Sequence, residues 1–63
     1  MIKLMRHPNF ADWVQVFKLD SLVDEFRSEA KAMRKVKKLA REAKLNHVMV
    51  EDKWVELKSL DNN

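Results

Sequence analysis

Eight basic side chains fall within residues 27–44: Arg27, Lys31, Arg34, Lys35, Lys37, Lys38, Arg41 and Lys44, against only Glu29 and Glu42. Cations spaced three and four apart share one side of a helix. Their natural chemistry is the neutralisation of phosphates, each contact releasing condensed counterions. The segment balance is 8 − 2 = +6, while residues 1–26 carry 3 − 4 = −1 and residues 45–63 carry 2 − 4 = −2, which sum to the +3 of the chain. Lys31, Arg34, Lys37, Lys38 and Arg41 define a candidate polyanion-binding face, with nucleic acid or an acidic protein as its partner. The same run also reads as a solvated outer face that keeps a small protein dispersed. Like charges at helical spacing repel by a few tenths of a kcal/mol per pair. A purely solvating face more often mixes its signs, yet charge runs are weakly specific, so both readings stand.

Other chemistries find little support. The chain has no glycine, so a phosphate-cradling loop, which needs glycine for close backbone approach, is not expected. It has no cysteine, and His7 and His47 lie far apart without a ligand partner at metal spacing. Ser21, Ser28 and Ser59 have no base placed beside them by sequence and suit turns and caps better than nucleophilic catalysis. Asp24-Glu25 and Glu51-Asp52 are neighbours in sequence, and on strands such neighbours point to opposite faces. The expectation is a protein that is not an enzyme, with no catalytic residues, cofactor, metal or small-molecule substrate.

Phase positions the helix that carries the cations. With about 100° per residue and Ala30 at zero, Leu39, Ala32, Ala43, Val36, Ala40 and Met33 fall between about 180° and 300°. The cations occupy the opposite arc. Extended backwards, Glu25 lands inside the apolar arc, so the helix is not expected to begin near Ser21. Ser28 is the expected N-cap of a helix over 28–44, and Asn46 the expected left-handed terminator.

Residues 13–18 read as a strand, Asp20-Ser21 as a turn and residues 22–26 as a weaker strand. Residues 47–51 and 54–58 read as a hairpin around Asp52-Lys53, and residues 2–5 as a further candidate strand. His7-Pro8-Asn9 reads as a turn and residues 61–63 as a loose tail. The expected fold is α+β: a small antiparallel sheet in the order strand-strand-helix-strand-strand, with one amphipathic helix packed across one face.

Alternation then divides the sheet. Val14, Val16, Val48, Val50, Val55 and Leu57 form one set, suited to the helix's alanine-rich stripe. Trp13, Phe17, Met49 and Trp54 form the other and need a different cover. Ile2, Leu4, Met5 and Phe10 could fold over them, or a second copy could, which makes these four a candidate interface of a homo-oligomer.

The run Ser28-x-x-Lys31-Ala32-Met33-x-x-Val36-x-x-Leu39-Ala40, followed by Val48-Met-Val50 and a short turn, resembles the small bacterial family known as domain of unknown function 2188. The resemblance spans residues 13–56, with Trp13 and Ser28 at the family's leading Trp and its Thr. It implies two strands, an Ala-rich helix and a closing hairpin, and it carries no activity. The sequence departs from the family in lacking its turn glycines and in adding residues 1–12.

Sixty-three residues allow one domain, 1–63, with a small core. Chains of this size usually need a disulfide, a metal or a partner chain for stability. The first two are not available from these residues, which leaves good packing or self-association. No apolar run approaches a membrane span, residues 1–10 lack a signal-peptide core, and the missing cysteines fit a cytoplasmic setting.

Overall fold

The computed structural model describes residues 1–61. The elements run β1 (Ile2–Arg6), β2 (Val14–Lys18), β3 (Ser21–Phe26), α1 (Glu29–Glu42), β4 (His47–Val50), β5 (Lys53–Glu56) and α2 (Leu57–Asp61). The five strands form one sheet in the order β3-β2-β1-β4-β5, and α1 packs across one of its faces. The class is α+β, as the sequence pattern predicts.

The sheet is mixed rather than antiparallel. β1 pairs antiparallel with β2 from Ile2↔Lys18 to Arg6↔Val14, and parallel with β4 through Lys3↔Met49 and Leu4↔Val50. Two reversals leave β3 running the same way as β1. The helix then carries the chain back across the sheet, so β4 starts from the same end and must run parallel to β1. Residues 1–12 therefore do not fold over the Trp-bearing face. Residues 2–6 supply the central strand, Ile2 and Leu4 point into the core beneath α1, and only Phe10 lies beside Trp13.

That core lies entirely between sheet and helix. Ile2, Leu4, Val14, Val16 and Val48 from the sheet meet Ala32, Val36 and Ala40 from α1, all essentially inaccessible. Phe26, Met33, Leu39, Leu45, Val50, Leu57 and Leu60 close its rim. Of the predicted valine set, Val14, Val16 and Val48 are buried, with Val50, Val55 and Leu57 half-buried at the margin.

α1 is held at both ends by local chemistry. The Ser28 hydroxyl accepts the Lys31 amide at 3.3 Å, which satisfies one orphan donor of the first turn. Glu29 in the first turn and Arg41 in the last both complement the helix dipole. At the C-terminus the Leu45 amide donates to the Ala40 carbonyl (2.8 Å) and the Lys44 amide to that of Arg41 (3.1 Å). These are the two bonds of a Schellman closure. Its left-handed residue is Lys44 (φ 56°), a conformation that suits glycine, so Asn46 is not the terminator.

A Cβ at this position opposes the left-handed backbone by roughly 1–2 kcal/mol. Lys44→Gly should therefore stabilise the fold by about 1 kcal/mol, raising the midpoint of thermal unfolding by roughly 4–8 °C. Lys44→Ala, which keeps the Cβ, should not. Equal midpoints for the two variants would remove the assignment of strain at Lys44.

Glycine is missing from the tight turns as well. β4 and β5 join through Glu51-Asp52, both left-handed (φ 45° and 71°), between the paired Val50 and Lys53. Two positive φ values mark a type I′ hairpin, so the turn sits one residue earlier than the predicted Asp52-Lys53. β5 ends at Glu56 and the chain turns into α2, where a longer strand was expected. β2 and β3 join through Leu19-Asp20, again one residue earlier than expected, with Leu19 at φ 58°. The loose tail predicted over 61–63 starts inside α2 at Asp61, and residues 62–63 lie outside the described residues.

Candidate functional site

The helix and the sheet present two unlike outer surfaces. On α1, the buried line Ala32-Val36-Ala40 fixes which way every other side chain must point. Lys31, Arg34, Lys38 and Arg41 are exposed on the far side, as their phase requires. Lys35 and Lys37 flank the apolar arc on either side, near about 140° and 340°, and both are half-buried with their stems along the helix flanks. Ion pairs join Arg6 to Glu29 (3.6 Å) and Arg6 to Glu51 (3.2 Å), and His7 Nε2 lies 3.5 Å from Glu25 Oε2. Among the described residues, the side chains of Lys31, Arg34 and Lys38 take part in no ion pair, whereas Lys37 and Arg41 each have an interaction partner. Of the five cations singled out in the sequence, three thus form the unengaged line. From Lys31 to Lys38 that line is about 10 Å long at 1.5 Å per residue.

The opposite surface is the open face of the sheet. Registers align Leu22, Phe17, Lys3, Met49 and Trp54 side by side, one residue from each strand. Four of these five are apolar, and the Lys3 ammonium lies 5.7 Å from the centre of the Phe17 ring. The row ends in Leu22 and Trp54, 48% and 57% exposed. His47 stacks on Trp54 with centroids 5.4 Å apart and planes 8° from parallel. Trp13 lies further along the face, with the Arg27 guanidinium 5.6 Å over its ring. The four aromatic and methionine residues picked out by alternation are therefore brought onto one surface.

Beside Trp13, His7, Phe10 and Glu25 complete a shallow hollow. His7 Nδ1 accepts the amides of Asn9 (3.0 Å) and Phe10 (3.2 Å), which places the ring proton of the neutral form on Nε2, facing Glu25. His7 is thereby the clasp of the predicted His7-Pro8-Asn9 turn. A second hollow is lined by Asn46, His47, Glu56, Leu57 and Lys58. No group of three or more His, Cys, Asp or Glu among the described residues could hold a metal ion.

No family model, no curated protein and no solved structure matches the chain. Its surfaces alone therefore carry the functional argument. No helix among the described residues is long and apolar enough to cross a membrane.

Sequence reasoning missed three contributors. Lys3 and Leu22 complete the apolar row, but their place depends on the pairing of β1 and on a bulge at Val16/Phe17 that shifts the register of β3. Arg6 gathers Glu29, Glu51 and the Ala11 carbonyl (2.9 Å), joining the start of α1 to the β4–β5 turn. Its partners are 5 to 45 residues away, and no local signal reveals them.

Proposed function

We propose that the chain is a non-enzymatic binding protein that holds nucleic acid through the outer face of α1, without reading its sequence. One observation carries the proposal: Lys31, Arg34 and Lys38 are exposed, aligned and unengaged by any acid of the described residues. A strand of duplex DNA carries one phosphate per 3.4 Å of axis, so a line of about 10 Å spans about three phosphates. Eight of the 13 basic residues of the chain lie in residues 27–44, the helix and its flanks. The open sheet face is a poorer platform for a polyanion, because its Lys3 and Arg27 are balanced by Glu25 and Glu56.

With three phosphates contacted, the logarithm of affinity should fall with the logarithm of salt at a slope of about −2.7. Raising salt from 50 to 200 mM should then weaken binding of a random-sequence duplex by about 40-fold, measured by fluorescence anisotropy. Arg34→Glu with Lys38→Glu should abolish binding while leaving the circular dichroism unchanged, since both side chains are exposed. Binding that ignores salt, or survives the double reversal, would remove the helix face from consideration.

A further inference from the structure

We infer that the open face of the sheet docks against a second copy of this chain, face to face, leaving both basic helices on the outside. This surface is separate from the helix face and does not depend on nucleic-acid binding.

The first argument is chemical. The cross-sheet row Leu22-Phe17-Lys3-Met49-Trp54 sets four apolar side chains in one line on a face that none of the described elements covers. The fold places its whole buried core on the other side of the sheet. A domain of this size with no cysteine and no metal cluster among its described residues lacks the usual staples. Burial of a second hydrophobic layer supplies what is missing.

The second argument is charge. The face carries Lys3 and Arg27 against Glu25 and Glu56, a balance of zero on a chain of +3. An anionic partner is drawn to α1 instead. A copy of the same neutral face is not repelled, and a two-fold arrangement offset from β1 lets Arg27 of one copy approach the carboxylates of the other.

The third argument is size. The molecule measures 30 × 26 × 18 Å. A two-layer fold is thinnest across its layers, so the two longer dimensions lie along the sheet. Their product, about 780 Å², bounds the whole outline; the five strands of four to six residues cover on the order of 400 Å² of it, the size of a weak, reversible contact rather than of a standard interface. Docking by a strand edge is less favourable. β3 is bulged and carries Asp24 and Glu25, two devices that blunt an edge. The result is a β-sandwich with sheets about 10 Å apart.

Sedimentation equilibrium of the full chain, without nucleic acid, over a range from micromolar to millimolar decides the matter. The expected result is a reversible monomer–dimer equilibrium that persists in 0.5 M salt. Trp54→Glu should weaken it by at least ~30-fold, the scale of a buried tryptophan anchor. Trp54 is largely exposed in the monomer, so that variant should keep its circular dichroism spectrum. Lys3→Leu, which removes the one charge in the row, should tighten the dimer, and Arg34→Glu with Lys38→Glu should leave it unchanged. A monomer at every concentration overturns the inference. So does a dimer that is indifferent to Trp54→Glu and Lys3→Leu. Since the helix variants act only on nucleic-acid binding and the Trp54 variant only on assembly, either reading can fail without the other.

Discussion

A chain that begins at Trp13 should not fold. Residues 13–56 contain every element that the family resemblance suggests, so on that basis their removal from residues 1–12 would be harmless. In the structure they surround a missing centre. β1 bridges β2 and β4, and without it both lose their partner on one side. Ile2 and Leu4 leave the core with it, each contributing about 1.5–3 kcal/mol when fully buried. A domain of 63 residues has about 3–9 kcal/mol in total at the usual 0.05–0.15 kcal/mol per residue. The loss is of the same size as the whole stability. The shortened chain should show no cooperative thermal transition and poorly dispersed amide resonances. Adding a peptide of residues 1–12 at high concentration should restore part of the native spectrum. A shortened chain with a sharp unfolding transition would show that β1 is an accessory strand.

Ala40→Leu should be the most damaging conservative change on the helix. Ala40 has no exposed surface and sits with Ala32 and Val36 against β1 and β2. A leucine there adds three carbons to the layer where helix meets sheet. Overpacking of this kind typically costs about 1–3 kcal/mol. We expect about 2 kcal/mol, or a fall of roughly 8–16 °C in the unfolding midpoint of so small a domain. Ala30→Leu is the control, because Ala30 is exposed on the same helix and leucine has nearly the same helix propensity as alanine. If both variants melt together, the alanine stripe is not what sets the approach of helix to sheet.

The helix was legible because its signals are local. Its two arcs repeat every 3.6 residues, and the intrusion of Glu25 into the apolar arc marks the break before Ser28. The cap needs only a hydroxyl three residues before an orphan amide. For the same reason the outward turn of Lys31, Arg34 and Lys38 follows directly from the inward turn of Ala32, Val36 and Ala40. The two hairpin turns were each misplaced by one residue because glycine, their usual marker, is missing. Leu19, Glu51 and Asp52 take left-handed conformations that side-chain type alone does not predict.

The candidate surfaces divide in the same way. The basic line on α1 is a property of one segment. The apolar row is not, since its five residues come from five strands and span Lys3 to Trp54. Alternation assigns Phe17, Met49 and Trp54 to one side of the sheet, but it leaves open which strands adjoin.

The sequence by itself determined an amphipathic basic helix, an α+β class and the two side-chain sets of the strands, because each depends on periodicity along a few neighbouring residues. Only the tertiary structure decided that residues 2–6 form the central strand, that the sheet is mixed, and that Lys3 and Leu22 join the tryptophan-bearing row. Strand order and register are set by contacts between distant segments, where the burial of Ile2 and Leu4 under the helix outweighs any preference that six N-terminal residues express alone.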